Sequence, residues 1–561
     1  MGSAGTVAEL VARQWGDDRV GLRADSLTLS HHDVAAGAAA RAALLVDLLP
    51  RGAQPHLGVL LDNTPEFPLW LSAAALAGAA VAGINPTRRG AELARDIVHT
   101  EVRVLVTSRE RIGLLDGLQL PGVRILVTGT DAYEELLAPY AGARPGDAVA
   151  RKVTPDSRML LYFTSGSTGA PKAAICTQGR LAAAGYSLVR HFGVTGDDVH
   201  YVCMPMFHGN AVIANWAPAL AGGAAVALRE RFSASGFLGD VRKFGATYFT
   251  YVGRAVQYLL ATPERDDDRE HALRMGFGTE AGAVDAARFK ERFGAPLVEG
   301  YGSSEGGAAI QRTADTPAGA VGRAAPGDQL AVVDPETGEE RVAARFGEGG
   351  VLVNGADAIG ELVNRGPNPF EGYWRNEAAD AARRRGGWYW TGDLFFRDGE
   401  GFLYFAGRTD DRLRVDSENL AAAMIENILA RWEDAAGVAV YAVPDPVAGD
   451  QVMAAVALRE GVAFDADGFA EFLRAQGDLG TKMAPRFVRV VASMPVTATN
   501  KVHRVALRGE GFSGCADEVW WAEGGSYRRL TPEDVAVLRE EYRVHGREGL
   551  LEAGKSSPSG A

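Results

Sequence analysis

Cysteine is scarce in this sequence, with three residues in a chain of 561, at Cys176, Cys203 and Cys515. They lie far apart and follow no CxxC or Cys/His spacing, so the sequence predicts neither a disulfide framework nor a zinc site. We expect no secretory signal peptide, because Met1 leads into a charged, Ala-rich stretch without a basic segment followed by an apolar one. Both features favour a reducing compartment, and we expect a cytoplasmic protein.

The sequence also lacks an excess of positive charge. Lysine and arginine number 58 against 71 aspartates and glutamates, which gives a formal net charge of −13. A general nucleic-acid binder needs a basic surface, so nucleic acid is not an expected partner. The chain has the composition of a globular protein, with 47% hydrophobic and 23% charged residues, and its length predicts more than one domain.

A convincing membrane span is missing as well. Residues 67–87 and 209–228 are uncharged and long enough to cross a bilayer. Both stretches are rich in Ala and Gly, and polar or helix-breaking residues interrupt the first of them at Pro68, Asn85 and Pro86. Such residues suit a buried helix followed by a turn better than a lipid-facing helix, so we expect both stretches in the core.

Short apolar runs alternate with Ala-rich helical stretches through the first half of the chain. The runs assigned to strands are 57–61, 102–106, 123–127, 160–163, 224–228 and 248–251. This alternation predicts the α/β class with a largely parallel sheet, in a large N-terminal body of layered α/β subdomains.

The sequence changes character twice further along. Gly-rich turns and short alternating segments at 318–405 predict β-hairpins, and so a small β subdomain. A smaller, mobile α+β C-terminal domain is expected to begin at Asp410, so the N-terminal body takes 1–409 and the C-terminal domain 410–550. Its predicted helices are 421–432 and 466–476, and its predicted strands are 438–443 and 452–458. Residues 551–561 are small and polar, as in a disordered tail.

The sharpest local signal is a Ser/Thr/Gly string directly behind an apolar strand. The string comprises Thr164, Ser165, Gly166, Ser167, Thr168 and Gly169, and it ends at Lys172. Glycines let backbone N–H groups approach oxyanions, hydroxyls donate hydrogen bonds and the lysine adds positive charge, so we expect a phosphate-binding loop. Pro171 stands where a Walker loop needs its second glycine, which excludes that class. A flexible surface loop is the alternative, but this ordered string behind a strand is not typical of one.

The string resembles the phosphate-loop motif of the adenylate-forming superfamily, which includes acyl-CoA synthetases, luciferases and the adenylation domains of peptide synthetases. Five further motifs follow in the superfamily's order, at 204–210, 300–306, 388–393, 407–411 and 497–502. The resemblance covers about residues 57–538. Within the superfamily, the segments 250–260, 416–419 and 527–534 are most similar to the fatty-acid transport protein and very-long-chain acyl-CoA synthetase branch.

The resemblance implies roles in the N-terminal body for several residues. His208 would lie between the ATP site and the acyl pocket. Tyr301 would stack on adenine, and Glu305 would hold Mg²⁺. The remaining residues implied near the nucleotide are Gly278, Gly302, Ser303 and Ser304.

The later motifs imply four more roles. Asp393 would take the ribose hydroxyls, and Arg408 would contact the nucleotide. Asp410 would be the pivot of a hinge. Lys501 would supply the positive charge for adenylation.

These roles have a chemical reason. Attack of a carboxylate on the α-phosphate places negative charge on non-bridging oxygens and releases pyrophosphate, so the step needs fixed cations and donors rather than a covalent nucleophile. Taken alone, Glu305 reads as a surface acid and Lys501 as a solvated lysine. Asp393 reads as a turn residue and His208 as a satisfied core residue. The six motifs in one order favour the functional interpretation of all four.

The sequence departs from the superfamily's pattern at three positions. Arg414 and Ser417 replace the lysine and glycine of a turn that swings in for thioester formation. Asn500 stands where glycine or phenylalanine is usual, and the match around Gly278 is loose. Transfer to CoA is therefore less securely indicated than adenylation.

The leading prediction is an ATP-dependent acid:CoA ligase that forms an acyl-adenylate from a carboxylic acid, with a fatty acid expected, and passes the acyl group to CoA. Rotation about Asp410 would let one cleft serve both steps. One alternative activates nitrite to diazotise an amine, or forms an amide. Another is a non-catalytic acyl-nucleotide sensor, which the presence of Lys172, Glu305 and Lys501 disfavours. The sequence identifies neither the acid nor the oligomeric state.

Overall fold

The computed structural model describes residues 4–25, 27–147, 152–164, 172–279, 281, 283–324, 327–347, 352–366, 370–415, 418–447, 449–480, 482–497 and 501–553. The chain divides into two compact units. The first unit comprises Met1–Arg312 and Arg365–Tyr389, and the second comprises Thr313–Asn364 and Trp390–Ala561. Much of the expected β subdomain therefore clusters with the C-terminal part of the chain, and a domain boundary at Asp410 stays a prediction.

One sheet of the first unit is parallel except at one edge. In spatial order its strands are Arg124–Thr128, Val104–Ser108, His56–Leu60, Ala80–Gly83, Arg158–Phe163 and Ala173–Thr177. Only the last pairing is antiparallel among these described strands. The inner strands His56–Leu60 and Ala80–Gly83 are buried along their whole length, which explains their continuous apolar sequence.

The other sheet of the first unit is also mainly parallel. In spatial order its strands are Ala309–Gln311, Leu297–Gly302, Met275–Thr279, Tyr248–Val252, Val199–Val202, Ala225–Leu228, Val20–Arg23 and Thr28–Ser30. Antiparallel pairs occur at its two described ends. The predicted α/β class with largely parallel sheet is confirmed.

Helices cover the sheets of the first unit. They are Val7–Ala12, His31–Leu48, Glu66–Ala77, Gly90–His99, Asp131–Leu137, Gln178–Phe192, Gly209–Ala211, Ala217–Gly222, Phe237–Phe244, Gly253–Leu260, Ala283–Phe293 and Glu377–Arg383. A π-helical turn, Val212–Trp216, precedes Ala217–Gly222. Short 3₁₀ turns occupy Ile112–Leu115 and Ala138–Tyr140, and Arg384–Arg385 forms a short strand.

The uncharged stretches belong to the core, as expected. Every residue of the helix Glu66–Ala77 after the first is buried, and the helix ends at Gly78, whose φ of 69° suits glycine. In the second stretch, Ala211, Val212 and Trp216 are buried. Among the described residues, no helix combines the length and the apolar character needed to cross a membrane.

The second unit is built mainly around antiparallel strands, although Asp450–Leu458 and Phe487–Val491 pair parallel. Its β-rich part contains Gly322–Arg323, Leu330–Val333, Gly360–Asn364, most of Trp388–Arg397, and Phe402–Arg408. Further along are the two-stranded pair Arg412–Val415 and Glu418–Ala421 and the five-stranded sheet Ala435–Pro444, Asp450–Leu458, Phe487–Val491, Glu518–Glu523 and Ser526–Arg529. Its helices are Gly355–Ala358, Ala422–Leu429, Ala466–Ala475, Arg504–Glu510, Pro532–Val544 and Glu548–Ala553. The last helix extends to Ala553, and the rest of the tail expected from Leu551 lies outside the described residues.

Candidate active site

The expected phosphate loop is anchored at both ends. The strand Arg158–Phe163 leads into the loop and the strand Ala173–Thr177 leads out of it, and the two pair antiparallel. The Thr164 N–H donates to the Lys172 carbonyl at 3.0 Å, which closes the loop at its base. Within the loop, the candidates Ser165, Gly166, Ser167, Thr168 and Gly169 lie outside the described residues.

The strand that leads into this loop also fixes the segment before His208. The Tyr162 hydroxyl donates to the Met206 carbonyl at 2.8 Å. The Asn63 side chain accepts the Met206 N–H at 2.9 Å and donates to the Met204 carbonyl at 2.9 Å. Burial raises the pKa of Tyr162, which keeps its hydroxyl a donor. His208 follows this pinned segment and is half-buried.

The motif expected to bind adenine and Mg²⁺ forms the turn of a hairpin. Its strands, Leu297–Gly302 and Ala309–Gln311, pair antiparallel with Tyr301 opposite Ile310. The Ser303 carbonyl accepts the Gly306 N–H at 3.0 Å, and the Ser303 hydroxyl donates to the Gly306 carbonyl at 3.1 Å. This turn presents the sequence Ser303, Ser304, Glu305, which we call the Glu305 loop.

The motif at residues 204–210, which we call the His208 segment, touches the Glu305 loop. A Cβ atom on Gly209 would lie 2.6 Å from the Ser304 hydroxyl, so the backbone next to His208 packs directly against that loop. Gly278 has a different explanation. A Cβ there would lie 2.3 Å from the Tyr251 carbonyl, so close packing of neighbouring strands already requires glycine. A nucleotide contact by Gly278 therefore stays a prediction.

Glu305 has a defined partner. The Tyr373 hydroxyl donates to Glu305 Oε1 at 3.2 Å, and burial raises the pKa of Tyr373. Tyr373 is held by an isolated bridge to Ala174, and the neighbouring Gly372 carbonyl accepts the Ile175 N–H at 2.9 Å. The strand that leaves the phosphate loop thus also positions the residue that contacts Glu305.

Sequence reasoning missed a buried ion pair beside this loop. Arg180 Nη1 lies 3.1 Å from Glu371 Oε2, and the two side chains are 12% and 17% exposed. Glu371 also accepts the Thr177 N–H at 2.9 Å and the Thr177 hydroxyl at 2.6 Å. The only local signal was a charged residue at the start of an Ala-rich helix, and nothing in the sequence pairs it with Glu371.

The ribose motif lies in the second unit. Asp393 stands opposite Arg408 across the antiparallel strands Trp388–Arg397 and Phe402–Arg408, and Arg408 Nε lies 3.4 Å from Asp393 Oδ1. The Thr391 hydroxyl donates to the Leu362 carbonyl at 2.7 Å and accepts the Asp393 N–H at 3.1 Å. These bonds fix the buried Asp393 carboxylate beside the half-exposed Arg408 guanidinium. A carboxylate can accept hydrogen bonds from two neighbouring hydroxyls, and a guanidinium can donate to a phosphate beside them.

Two further candidates lie in the second unit. Asp410 belongs to a single 3₁₀ turn, Thr409–Asp411, between two strands. Lys501 is exposed. The Thr497 N–H donates to the Lys501 carbonyl at 2.7 Å, and the Lys501 N–H donates to the Thr497 hydroxyl at 3.2 Å. The unusual residues Ser417 and Asn500 lie outside the described residues.

The structure therefore assembles part of the predicted site within each unit. In the first unit, direct contacts join the base of the phosphate loop, the His208 segment and the Glu305 loop. In the second unit, Asp393 and Arg408 face each other, and Lys501 lies on a separate loop.

Two family models match this chain. The model of the AMP-binding enzyme matches residues 8–374, and that of the AMP-binding enzyme C-terminal domain matches residues 424–501. The chain belongs to the AMP-binding enzyme family, and the resemblance to adenylate-forming enzymes is confirmed.

Similar proteins include two curated relatives. Steroid-22-oyl-CoA synthetase of Rhodococcus jostii is 49% identical over 97% of this chain and 99% of its own length. Medium/long-chain-fatty-acid–CoA ligase FadD17 of Mycobacterium marinum is 45% identical over 88% of this chain and 94% of its own length. Among solved structures, the anthranilate CoA ligase AuaEII with anthranoyl-AMP superposes with a TM-score of 0.78 at 22% identity, covering 91% of this chain and 97% of that chain.

Proposed function

We propose that this protein is an ATP-dependent acid:CoA ligase that works in two steps. In the first step a carboxylate oxygen attacks the α-phosphorus of ATP, an acyl-phosphate bond forms and pyrophosphate leaves. In the second step the CoA sulfur attacks the acyl carbon, a thioester forms and AMP leaves. Overall, one acid, one ATP and one CoA are consumed for each thioester formed, and AMP, pyrophosphate and the proton of the CoA thiol are released.

One observation carries this proposal. The base of the phosphate loop, the His208 segment and the Glu305 loop are in contact with one another, although they are distant in sequence. Such an arrangement brings hydrogen-bond donors from separate segments close together. Attack at the α-phosphate of ATP requires such donors around the reacting atoms. The near full-length match to named CoA ligases supports the same reaction class.

The nucleotide roles divide between the two units. We assign triphosphate binding to the loop that ends at Lys172, and adenine stacking to Tyr301. Asp393 and Arg408 take the ribose and the phosphate next to it. Lys501 meets the carboxylate and the α-phosphate, where its ammonium offsets the charge that develops.

Glu305 suits a magnesium ion delivered with ATP. Mg²⁺ is commonly held by one or two carboxylates together with substrate phosphates, rather than by a cage of protein ligands. Among the described residues there is no group of three or more His, Cys, Asp or Glu side chains that could hold a metal by itself. Glu305 beside the phosphate loop fits the former type of site, in which the ion screens charge on the phosphates.

For the acid, we propose a carboxylate at the end of a large apolar body. The names of the two relatives point to steroid side-chain acids and to medium- or long-chain fatty acids. The aromatic residues Trp216 and Tyr251 are buried, and the Asn210 side chain donates to the Tyr251 carbonyl at 3.3 Å. Such surroundings favour an apolar acid over nitrite.

CoA is the proposed acceptor because both relatives are named as CoA ligases. The alternative of an amine acceptor rests on Ser417 in the sequence alone. The cytoplasmic location also stays a prediction.

The test is product analysis by mass spectrometry with ATP and Mg²⁺. Each reaction contains one acid, chosen from a steroid-22-oic acid, a medium-chain fatty acid, a long-chain fatty acid, benzoate and nitrite. Each acid is tested with CoA, with an aromatic amine, and with neither. We expect a thioester, AMP and pyrophosphate from at least one of the first three acids. AMP formed without any thioester would contradict the choice of CoA, and no AMP with any acid would contradict the ligase.

A further inference from the structure

Arg180 makes three polar contacts in the interior of the first unit. Its Nη1 donates to the Ile175 carbonyl at 2.9 Å and to Glu371 Oε2 at 3.1 Å. Its Nη2 donates to the Ser304 carbonyl at 2.6 Å. The Arg180 side chain is 12% exposed, so little water competes with these bonds.

The three partners belong to three different parts of the predicted ATP site. Ile175 lies on the strand that leaves the phosphate loop. Ser304 directly precedes Glu305 in the Glu305 loop. Glu371 lies two residues before Tyr373, whose hydroxyl donates to Glu305. One guanidinium therefore connects the strand that leaves the phosphate loop to the turn that carries the carboxylate assigned to Mg²⁺.

The Glu305 loop is also shaped around this guanidinium. Gly306 has a φ of 74°, and a Cβ atom there would lie 2.8 Å from Arg180 Cζ. Glycine at this position therefore lets the turn pack onto the charged group. Together with the hydrogen bond to the Ser304 carbonyl, this contact sets the distance between the Glu305 loop and the Arg180 guanidinium.

An arginine can do this where a lysine cannot. Its planar group offers five N–H donors in fixed directions, whereas an ammonium is a compact point charge on a flexible stem. Glu371 compensates the buried charge and is itself held by Thr177. The pair thus forms a rigid support rather than an exposed ion pair.

We propose that Arg180 is a positioning residue for adenylation, which sets the distance between Glu305 and the strand that leaves the phosphate loop, and thereby the affinity for MgATP. This inference rests on the proposed function, since it assigns MgATP to this site. Arg180 acts through Ser304 and Glu371 and is assigned no contact with the reacting atoms.

The chain offers a matched control in Arg292. This residue pairs with Asp268 at 2.6 Å, and the two side chains are 6% and 4% exposed. Arg292 also donates to backbone carbonyls, at Leu259 and Thr262, neither of which belongs to a motif of the predicted site. Loss of this pair should cost stability to a similar extent without affecting MgATP.

The experiment compares Arg180→Met/Glu371→Gln with Arg292→Met/Asp268→Asn and with the unchanged protein. The double changes avoid leaving a buried charge without its partner, and glutamine keeps an acceptor for Thr177. Arg180→Lys is the conservative variant, which keeps the charge and loses the fork. Measured quantities are the dissociation constant of MgATP, KM for MgATP and for the acid, kcat for pyrophosphate release, the Mg²⁺ concentration at half-maximal rate, and Tm.

We expect Arg180→Met/Glu371→Gln to raise the KM and the dissociation constant for MgATP by about tenfold or more, the scale of one lost hydrogen bond to a charged group. The required Mg²⁺ concentration rises as well, while the KM for the acid stays within about twofold. Arg180→Lys should show a smaller rise in the same direction. Arg292→Met/Asp268→Asn should lower Tm and leave MgATP binding unchanged.

Two results would overturn the inference. One is unchanged MgATP binding in the Arg180 variants, and the other is an equal loss in the Arg292 control, which would indicate a structural role only. If the unchanged protein releases no pyrophosphate with any acid, the proposed function fails, but the dissociation constants for MgATP still decide the role of Arg180.

Discussion

The two units hold their candidate catalytic residues in opposite ways. In the first unit, Glu305 lies on a turn that a buried guanidinium and a tyrosine hydroxyl hold in place. In the second unit, Lys501 is exposed, and two hydrogen bonds of its backbone connect it to Thr497. Arg180 and Arg408 show the same contrast, with side chains 12% and 56% exposed.

This difference suits two distinct tasks. Binding of a triphosphate benefits from groups that are fixed before the ligand arrives. A residue that serves one half-reaction and must then give way to CoA is better placed on an exposed element of a mobile unit. We therefore expect changes in the second unit to separate the half-reactions, and changes in the first unit to weaken MgATP binding and so to slow the first half-reaction.

The largest effect is expected from Lys501→Ala. Removal of the ammonium that meets the α-phosphate should slow acyl-adenylate formation by about 100- to 1000-fold, the range seen for loss of one oxyanion donor. Because Lys501 is exposed, Tm should change little. Pyrophosphate release with the identified acid measures the loss. Lys482→Ala, in the same unit, is the control, and equal rates in the two variants would contradict the assignment.

A second variant, Asp410→Pro, tests the hinge. Proline fixes φ within the 3₁₀ turn Thr409–Asp411 and should hinder rotation there. We expect near-normal acyl-adenylate formation and about tenfold or greater loss of thioester formation, which separate assays of pyrophosphate and acyl-CoA would report. Glu400→Pro, in the turn before Phe402–Arg408, provides a control for proline elsewhere. Equal loss of both half-reactions would argue against a hinge at this position.

Substitution of His200, in the first unit, should have the smallest effect on activity and a clear effect on stability. Burial lowers the pKa of His200 to about 4, below the ordinary value near 6.5. Between these values the unfolded chain binds a proton that the folded chain does not, so stability falls as the pH falls from 6.5 to 4. Over this range the free energy of unfolding falls by about 3 kcal/mol.

His200→Gln should flatten this part of the stability curve. The free energy of unfolding, measured with denaturant between pH 4 and 7, gives the slope. His545→Gln, at an exposed position in the second unit, is the matched control and should keep the slope. An unchanged slope in His200→Gln would contradict the burial argument.

The six strands expected in the first half of the chain were predictable from the sequence to within about two residues. The run 248–251 corresponds to the strand Tyr248–Val252, and 160–163 to the end of Arg158–Phe163. Continuous apolar runs between helices carry this signal because both faces of such strands are buried. The helix expected at 421–432 is shorter, Ala422–Leu429, since the residues after it pass into turns.

The site was predictable as a set of motifs and not as an arrangement. Thr164, His208 and Glu305 were found because each belongs to a short string with its own chemistry. The pair of Arg180 and Glu371 was not, because its partners are 191 residues apart and neither has a local pattern. Contacts of that kind depend on how the strands are ordered in space, which no local spacing encodes.

In the proposed mechanism, one chain carries out two half-reactions that different residues of the second unit control. The most direct test supplies preformed acyl-adenylate and CoA to Lys501→Ala and to Asp410→Pro, and follows thioester formation in a single turnover. We predict a near-normal rate of thioester formation for Lys501→Ala, because the step that needs the lysine is bypassed. For Asp410→Pro we predict a slow rate. A slow rate for Lys501→Ala, or a normal rate for Asp410→Pro, would contradict this mechanism.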